Sequence, residues 1–271
     1  MEHIAALLRA RRACVFPVTD LPGGAELVAA EAASREAAAP LISRTFAAAR
    51  AVAEIALLSS HLRLCSPAPF PEQAAGCAAL ASSRGAAYTH REGPGALTLT
   101  AAMATAAPPQ ARTLRLCSSL ASDILKHCAG SPGLGLVLAA LAAADPAAAG
   151  SSLTTEALLP GAEVAKMVDA SLLTMVFFRK GDDALRIQGR PATTLCARLP
   201  GAFRAEPREG DLLVALLPGH LLALATGITA FSYDAHVEEG GGGGGGAERR
   251  MMTVARITPP PGAASSASTA A

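Results

Sequence analysis

The chain has 271 residues, of which 51% are hydrophobic and only 3% aromatic, with no tryptophan. This length suits two domains of ordinary size, or one large domain with a substantial core. The formal net charge of +1 does not call for a nucleic-acid or membrane partner, so a polyanion-binding surface would need its basic residues concentrated on one face.

Residues 1–40 are predicted to form an N-terminal extension. It contains a helix, a short strand at Cys14–Val18, a turn at Leu21–Gly24 and a helix rich in alanine and glutamate. The apolar stretch Ile4–Leu8 is too short for a secretory signal, and its arginines follow it instead of preceding it. We therefore expect an intracellular protein with reduced cysteines. Because no CxxC pair occurs, a structural zinc site is not expected.

Residues 41–144 are predicted to form a first lobe. It begins with a helix (LISRTFAAARAVAE) and two strands (IALLSS and HLRLCSP). Further along, a strand at Arg112–Ser118 is predicted to precede a helix (SLASDILKHCA) and a strand (GLGLVLAALA). The glycines of that last segment lack the spacing of a dinucleotide-binding motif.

Small and turn-forming residues at 145–152 predict an interdomain connector, followed by a second lobe at residues 153–260. That lobe begins with a strand (LTTEALLP), a helix (GAEVAKMVDA), and strands (SLLTMVFFRK, ALRIQG and ATTLCARL). The order resembles that of the first lobe from Leu41 onward, which indicates an internal repeat. The predicted fold class is α+β, with two lobes that each place helices on one face of antiparallel sheets.

The stretch Leu212–Phe231 is long and apolar enough to raise the question of a membrane helix, with His220 as its ionisable residue. Pro218 and Gly227 divide it, and we favour a strand (DLLVALL), a helix (PGHLLALAT) and a strand (ITAFSYDAHVE). The glycine run 240–246 then forms a flexible loop, and residues 261–271 are expected to be disordered.

This order of elements resembles the sliding-clamp (PCNA-like) superfamily, especially a herpesviral-type polymerase processivity subunit or a checkpoint-clamp subunit. The resemblance is carried by LTTEALLPGAEVAKMVDASLLTMVFFRKGDDALRIQG and by GDLLVALLPGHLLALATGITAFSYDAHVE. It implies a non-catalytic processivity or scaffold subunit without cofactor or metal. Such a protein would act in the nucleus or at a site of viral replication.

A clamp holds duplex DNA through positive side chains that contact phosphates without reading sequence. The resemblance implies that the DNA-binding residues are Arg44, Arg50, Lys126, His127, Lys166, Arg179, Lys180, His220, Arg249 and Arg250. A DNA polymerase or another replication or repair protein would dock beside the connector. The implied partner-binding residues are Leu153, Thr154, Thr155, Glu156 and Ala157.

Two alternatives stay open at this point. One is a protein-interaction or structural subunit of the same fold that does not bind DNA. The other is an enzyme whose catalytic groups come together from distant parts of the chain, because no recognised catalytic motif is present. A homo-oligomer and a hetero-oligomer are both compatible with the sequence.

Overall fold

A computed structural model describes residues 1–10, 12, 14–40, 43, 87–89, 96–102, 108–128, 151–158, 163–201, 206–237 and 250–259. The helices are α1 (Glu2–Arg9), α2 (24–40), α3 (Pro108–Cys128) and α4 (His220–Thr226). The strands are β1 (Cys14–Pro17), β2 (Ala87–Thr89), β3 (Ala96–Ala102), β4 (Ser152–Leu158), β5 (Glu163–Met167), β6 (Leu173–Arg179), β7 (Leu185–Ile187), β8 (Arg190–Pro191), β9 (Leu212–Pro218), β10 (Tyr233–His236) and β11 (Arg250–Ile257).

Two antiparallel sheets pack face to face in the described structure. The large sheet has seven strands in the order β1-β9-β6-β11-β4-β3-β2, and the small sheet has four in the order β5-β10-β7-β8. Apolar side chains from both sheets fill the space between them, as in other β-sandwiches. They include Val176, Phe178, Leu213, Phe231 and Val254.

The outer face of the large sheet is covered by the three longer helices, α1, α2 and α3. Phe177 and Leu216 of the sheet pack there with Leu8, Leu27 and Leu114 of the helices. Every residue of β9 is buried, since β9 lies between β1 and β6 with both faces covered. This explains why its sequence is continuously apolar instead of alternating.

The expected two-lobe clamp arrangement is not supported, because strands from all parts of the chain share one sheet. β1, from the N-terminal extension, pairs with β9 through Cys14↔Leu216 and Phe16↔Val214. β3, from the predicted first lobe, pairs with β4 along its whole length. The fold is mixed α/β with antiparallel sheets, so the coarser prediction is correct. The boundaries at residues 40, 144, 152 and 260 stay predictions.

The prediction of a strand at Arg112–Ser118 is wrong, because these residues lie inside α3. The alternating leucines there are typical of a strand over a short window. Over the whole segment the buried positions follow the helical period, with Leu114, Cys117, Ala121 and Leu125 on one face. The prolines at the start of α3 fit the first helical turn, where no amide partner is lost.

Two local predictions in the C-terminal half are also corrected. The segment GAEVAKMVDA was expected to be a helix, but it contains β5, which pairs with β10 in the small sheet. Tertiary pairing decides the conformation of such a short segment over its local preference. The expected strand ATTLCARL instead contains a short 3-10 helix at Ala192–Leu195.

The division of the apolar stretch Leu212–Phe231 into separate elements is confirmed for β9 and α4. Gly227 ends α4 in a left-handed conformation, with φ of 72°, which glycine adopts without steric cost. Across the part of the chain that the structure describes, no helix has both the length and the apolar character needed to cross a bilayer.

Candidate functional site

The interior between the two sheets becomes polar toward the C-terminal end of β11. Met252, Val254 and Arg256 alternate along β11, and the last of them places a guanidinium where apolar side chains precede it. It contacts residues from β4, β10 and the segment after β5, and Thr174 of β6 bonds to one of these residues. We call this group the polar cluster; its members are Thr154, Glu156, Asp169, Thr174, Tyr233 and Arg256.

Arg256 is the centre of the polar cluster. Its Nε donates to Asp169 Oδ1 at 3.0 Å, and its Nη1 donates to Thr154 Oγ1 at 3.0 Å. Its Nη2 donates to the Tyr233 hydroxyl at 3.0 Å and lies 3.7 Å from Glu156 Oε1. This one side chain of β11 therefore joins β4, β10 and the segment that follows β5.

Asp169 accepts hydrogen bonds on both of its carboxylate oxygens. Besides the Arg256 bond to Oδ1, Oδ2 accepts from the Tyr233 hydroxyl at 2.8 Å and from Thr174 Oγ1 at 3.0 Å. The Thr174 hydroxyl is also 2.8 Å from Ser171 Oγ. Charge-assisted bonds of this kind are stronger than neutral ones, so the carboxylate is firmly oriented.

The backbone around Asp169 is held by the start of α4. The His220 amide donates to the Asp169 carbonyl at 2.9 Å, and the Leu221 amide donates to the Ser171 carbonyl at 3.1 Å. Gly219 allows this approach, because a Cβ at that position would collide with the Ser171 carbonyl oxygen. The helix start thus fixes Asp169 from outside the sandwich.

The polar cluster is buried but not sealed. The side chains of Arg256 and Asp169 are 15% and 11% exposed to solvent, whereas the side chain of Glu156 is 1% exposed. Two carboxylates, those of Asp169 and Glu156, face the guanidinium of Arg256. Burial raises the pKa of Tyr233 above its ordinary range, so the phenol stays protonated. Burial by itself would lower the pKa of Arg256, but the neighbouring Tyr233 and Asp169 raise it by more than burial lowers it. The pKa of Arg256 is therefore raised, and the guanidinium stays charged.

Stability is expected to fall in alkaline solution. Burial raises the pKa of the Cys14 thiol from 9.0 to about 12, and burial also raises the pKa of Tyr233. Between pH 9.0 and about 12, the Cys14 thiol has lost its proton in the unfolded chain but keeps it in the folded chain. The free energy of unfolding therefore decreases as pH rises through this range. Urea unfolding at pH values from about 8 to about 11 would measure this decrease. A Cys14→Ala variant should show a shallower slope, and an equal slope would contradict the assignment to Cys14.

The described residues among those predicted to bind DNA are spread over separate elements. Lys126 and His127 lie exposed in the last turn of α3, where Lys126 pairs with Asp123 at 2.9 Å. Lys166 lies exposed in a strand, β5, and His220 begins α4. The structure does not bring these residues together on a set of inner helices.

The other predicted DNA-binding residues lie at strand ends or outside the described residues. Arg179 ends β6 and donates to the Gly210 carbonyl, and Lys180 donates to the Pro207 carbonyl. Arg250 begins β11. Three positions lie outside the described residues: Arg44, Arg50 and Arg249.

The residues predicted to bind a partner protein form most of β4. Leu153, Thr154, Thr155, Glu156 and Ala157 are all buried, with exposures of 3% or less. β4 lies inside the large sheet between β11 and β3, so its backbone is paired on both sides. These side chains therefore offer no exposed docking surface, and two of them belong to the polar cluster.

Sequence reasoning misses the central members of the polar cluster. It places Asp169 in the segment GAEVAKMVDA, which was expected to be a helix, and it singles out neither Tyr233 nor Arg256. One signal is available: Arg256 interrupts the apolar run MMTVARI at a position that alternation assigns to the same face as Met252 and Val254. A charged side chain on a buried strand face has to find a partner.

No protein-family profile matches the sequence, and no curated protein matches it. Several solved structures align with it, and some of them are described as oxygenases. Another is the C-terminally truncated form, without ligand, of a Neurospora crassa protein whose full-length form was solved with alpha-KG. The truncated form aligns at 13% identity and a TM-score of 0.39, over 81% of this chain and 78% of its own.

Two structures that are described as oxygenases align to a similar degree. The rice dioxygenase for auxin oxidation has 13% identity and a TM-score of 0.39, over 92% of this chain and 84% of its own. A Caulobacter crescentus protein described as a member of the 2OG-Fe(II) oxygenase family has 12% identity and a TM-score of 0.38, over 82% of this chain and 74% of its own. TM-scores this low do not carry an activity from these proteins to this chain.

The interpretation as a sliding clamp is wrong. The sheet topology mixes the two supposed lobes, and the aligned structures are oxygenases instead of clamps. The expected processivity function is therefore also wrong, and so is the expectation of duplex DNA and a polymerase as partners. The expectation of a protein without catalytic activity is corrected too, because the solved structures reported above that carry a functional description are described as oxygenases. The alternative of an enzyme assembled from distant residues agrees better with these findings.

Proposed function

We propose that this chain is an enzyme that binds a small, uncharged carbonyl compound at the polar cluster and transfers a proton on it. The observation that carries the proposal is the convergence of Glu156, Asp169, Tyr233 and Arg256 from separate segments at a partly open end of the sandwich interior. Interiors of β-sandwiches and barrels commonly hold ligands at their open ends.

Arg256 is the group that would bind the substrate carbonyl. A guanidinium has five N–H donors, and the hydrogen bonds it makes to described residues use three of them. Its partners Asp169 and Tyr233 hold it in one orientation, so a remaining N–H can polarise a carbonyl oxygen without reorganisation. Polarisation of the carbonyl makes the adjacent C–H bond more acidic.

The proton acceptor in this proposal is Glu156. Its carboxylate lies 3.7 Å from the Arg256 guanidinium, on the same interior face of the large sheet. A carboxylate within reach of a substrate proton typically contributes about 10²–10⁴-fold in rate. The carboxylates of Asp169 and Glu156 repel an anionic ligand at the polar cluster, which is why the proposed substrate is uncharged.

The Fe(II) named for the aligned Caulobacter protein does not fit the residues described here. Non-haem iron oxygenases hold iron with two histidines and a carboxylate. Among the described residues no group of three histidine, cysteine, aspartate or glutamate side chains is placed to hold a metal ion. Asp169 is already engaged by Arg256, Tyr233 and Thr174, so the proposal includes no metal step.

The proposal is tested with acetophenone as an uncharged probe and benzoate as its anionic counterpart. Saturation-transfer NMR on the full chain should detect acetophenone and not benzoate. With the protein present, deuterium from heavy water should enter the acetophenone methyl group faster than it does in the same heavy-water buffer without protein. Arg256→Lys should weaken acetophenone binding by at least about tenfold, because a hydrogen bond from a charged group is worth about 1.5–3 kcal/mol.

Two further variants separate the roles of the residues. Glu156→Gln should lower the exchange rate by about 100-fold or more while changing binding much less. Asp183→Asn is the matched control, since Asp183 is an exposed carboxylate outside the polar cluster and should leave both measurements unchanged. Binding of acetophenone that is equal in the wild type and Arg256→Lys would refute the proposed site.

A further inference from the structure

The polar cluster contains its own cation. Asp169, after β5, and Glu156, in β4, converge from different segments, and two buried carboxylates repel unless a positive charge lies between them. Metal ions supply that charge in many protein sites. Here Arg256 supplies it, with Nε 3.0 Å from Asp169 Oδ1 and Nη2 3.7 Å from Glu156 Oε1.

The surrounding hydroxyls favour a guanidinium over a metal ion at this position. The Tyr233 and Thr174 hydroxyls donate to Asp169 Oδ2, which directs their protons at the oxygen that a metal would need. The pKa of Tyr233 is raised by burial, which disfavours the phenolate that would serve as a metal ligand. Each of these bonds opposes coordination by Asp169.

Imidazole ligands are also missing from this position in the described structure. His220 is exposed at the start of α4, where its backbone amide, not its ring, contacts the Asp169 carbonyl. His236 alternates with the buried Tyr233 and Ala235 along β10 and therefore lies on the opposite face of the small sheet. Neither histidine is placed to join Asp169 in a metal site.

We infer that the Arg256 guanidinium is a built-in replacement for a divalent cation, and that the polar cluster binds no divalent metal while Arg256 is present. The inference depends on the polar cluster but not on the proposed carbonyl chemistry. It is tested on the protein without any substrate, so its failure can be distinguished from failure of the proposed function.

The first measurement uses the full wild-type chain after dialysis against a chelator. Mn(II), Co(II) and, under anaerobic conditions, Fe(II) are added singly, and bound metal is counted after gel filtration. Less than about one-tenth of an equivalent of bound metal is expected, because the ligands of a metal site must be free to coordinate and Asp169 is held by Arg256, Tyr233 and Thr174. Binding of about one equivalent that is lost in Asp169→Asn would overturn the inference.

The second measurement removes the guanidinium. Arg256→Ala takes the guanidinium away from Asp169 and Glu156, and the variant is expected to bind Co(II) at least about tenfold more tightly than the wild type. The double variant Arg256→Ala with Asp169→Asn should lose that gain. A folded Arg256→Ala protein without any gain would contradict the inference. If this variant does not fold, the wild-type measurement decides alone.

Discussion

Asp169→Ala is expected to lower the free energy of unfolding by about 3–5 kcal/mol, because it leaves the buried Arg256 charge without its main partner. The same change removes the acceptor of the Tyr233 and Thr174 hydroxyls. The measurement is urea unfolding followed by circular dichroism at neutral pH. The loss should exceed that of an ordinary surface substitution several-fold.

Asp123→Ala is the control for this prediction. Asp123 also pairs with a basic residue, Lys126, at 2.9 Å, but both side chains are more than half exposed. Exposed pairs contribute little, so this variant should retain nearly all of the wild-type stability. If both aspartate variants lost the same small amount, the polar cluster would not be the structural centre that its geometry indicates.

Phe177→Ala is expected to cost about 3–5 kcal/mol of folding stability through the cavity that it leaves. Phe177 is fully buried on the outer face of the large sheet, where it packs in the core formed with α1, α2 and α3. Thermal or urea unfolding of the purified variant would measure the loss. Loss of the aromatic ring should loosen the helices from the sheet without touching the polar cluster.

Leu224→Ala is the matched control, because it also truncates a large apolar side chain, but one that is exposed instead of buried. Leu224 lies in α4 with 83% of its surface exposed, so its removal forfeits little packing. The change should stay within about 0.5 kcal/mol of the wild type. A large effect of Leu224→Ala together with a small one of Phe177→Ala would mean that the helices do not pack on the sheet as described.

Much of the C-terminal half could be predicted from local pattern. The apolar run before Pro218 and the glycine at Gly227 were enough to place β9 and α4, because a buried strand and a helix stop have recognisable local signatures. The same approach failed at Arg112–Ser118, where a short window of alternating leucines hid a longer helical period.

The polar cluster could not have been predicted in the same way. Its members are separated by up to about 100 positions, with Thr154 and Arg256 bonded at a sequence separation of 102. Local patterns carry no information on which strands become neighbours, since pairing is decided by burial across the whole chain. The supposed repeat misled the interpretation for this reason: a similar order of elements does not imply similar pairing.

By itself the sequence determined where apolar strands and several helices form, since periodicity and turn residues act over a few positions. Only the tertiary structure decided that the N-terminal strand β1 joins β9, and that β11 lies between β4 and β6. That arrangement brings a carboxylate after β5 and a guanidinium on β11 within 3.0 Å. The physical reason is that a buried charge must find its partner in space, wherever that partner lies in the chain.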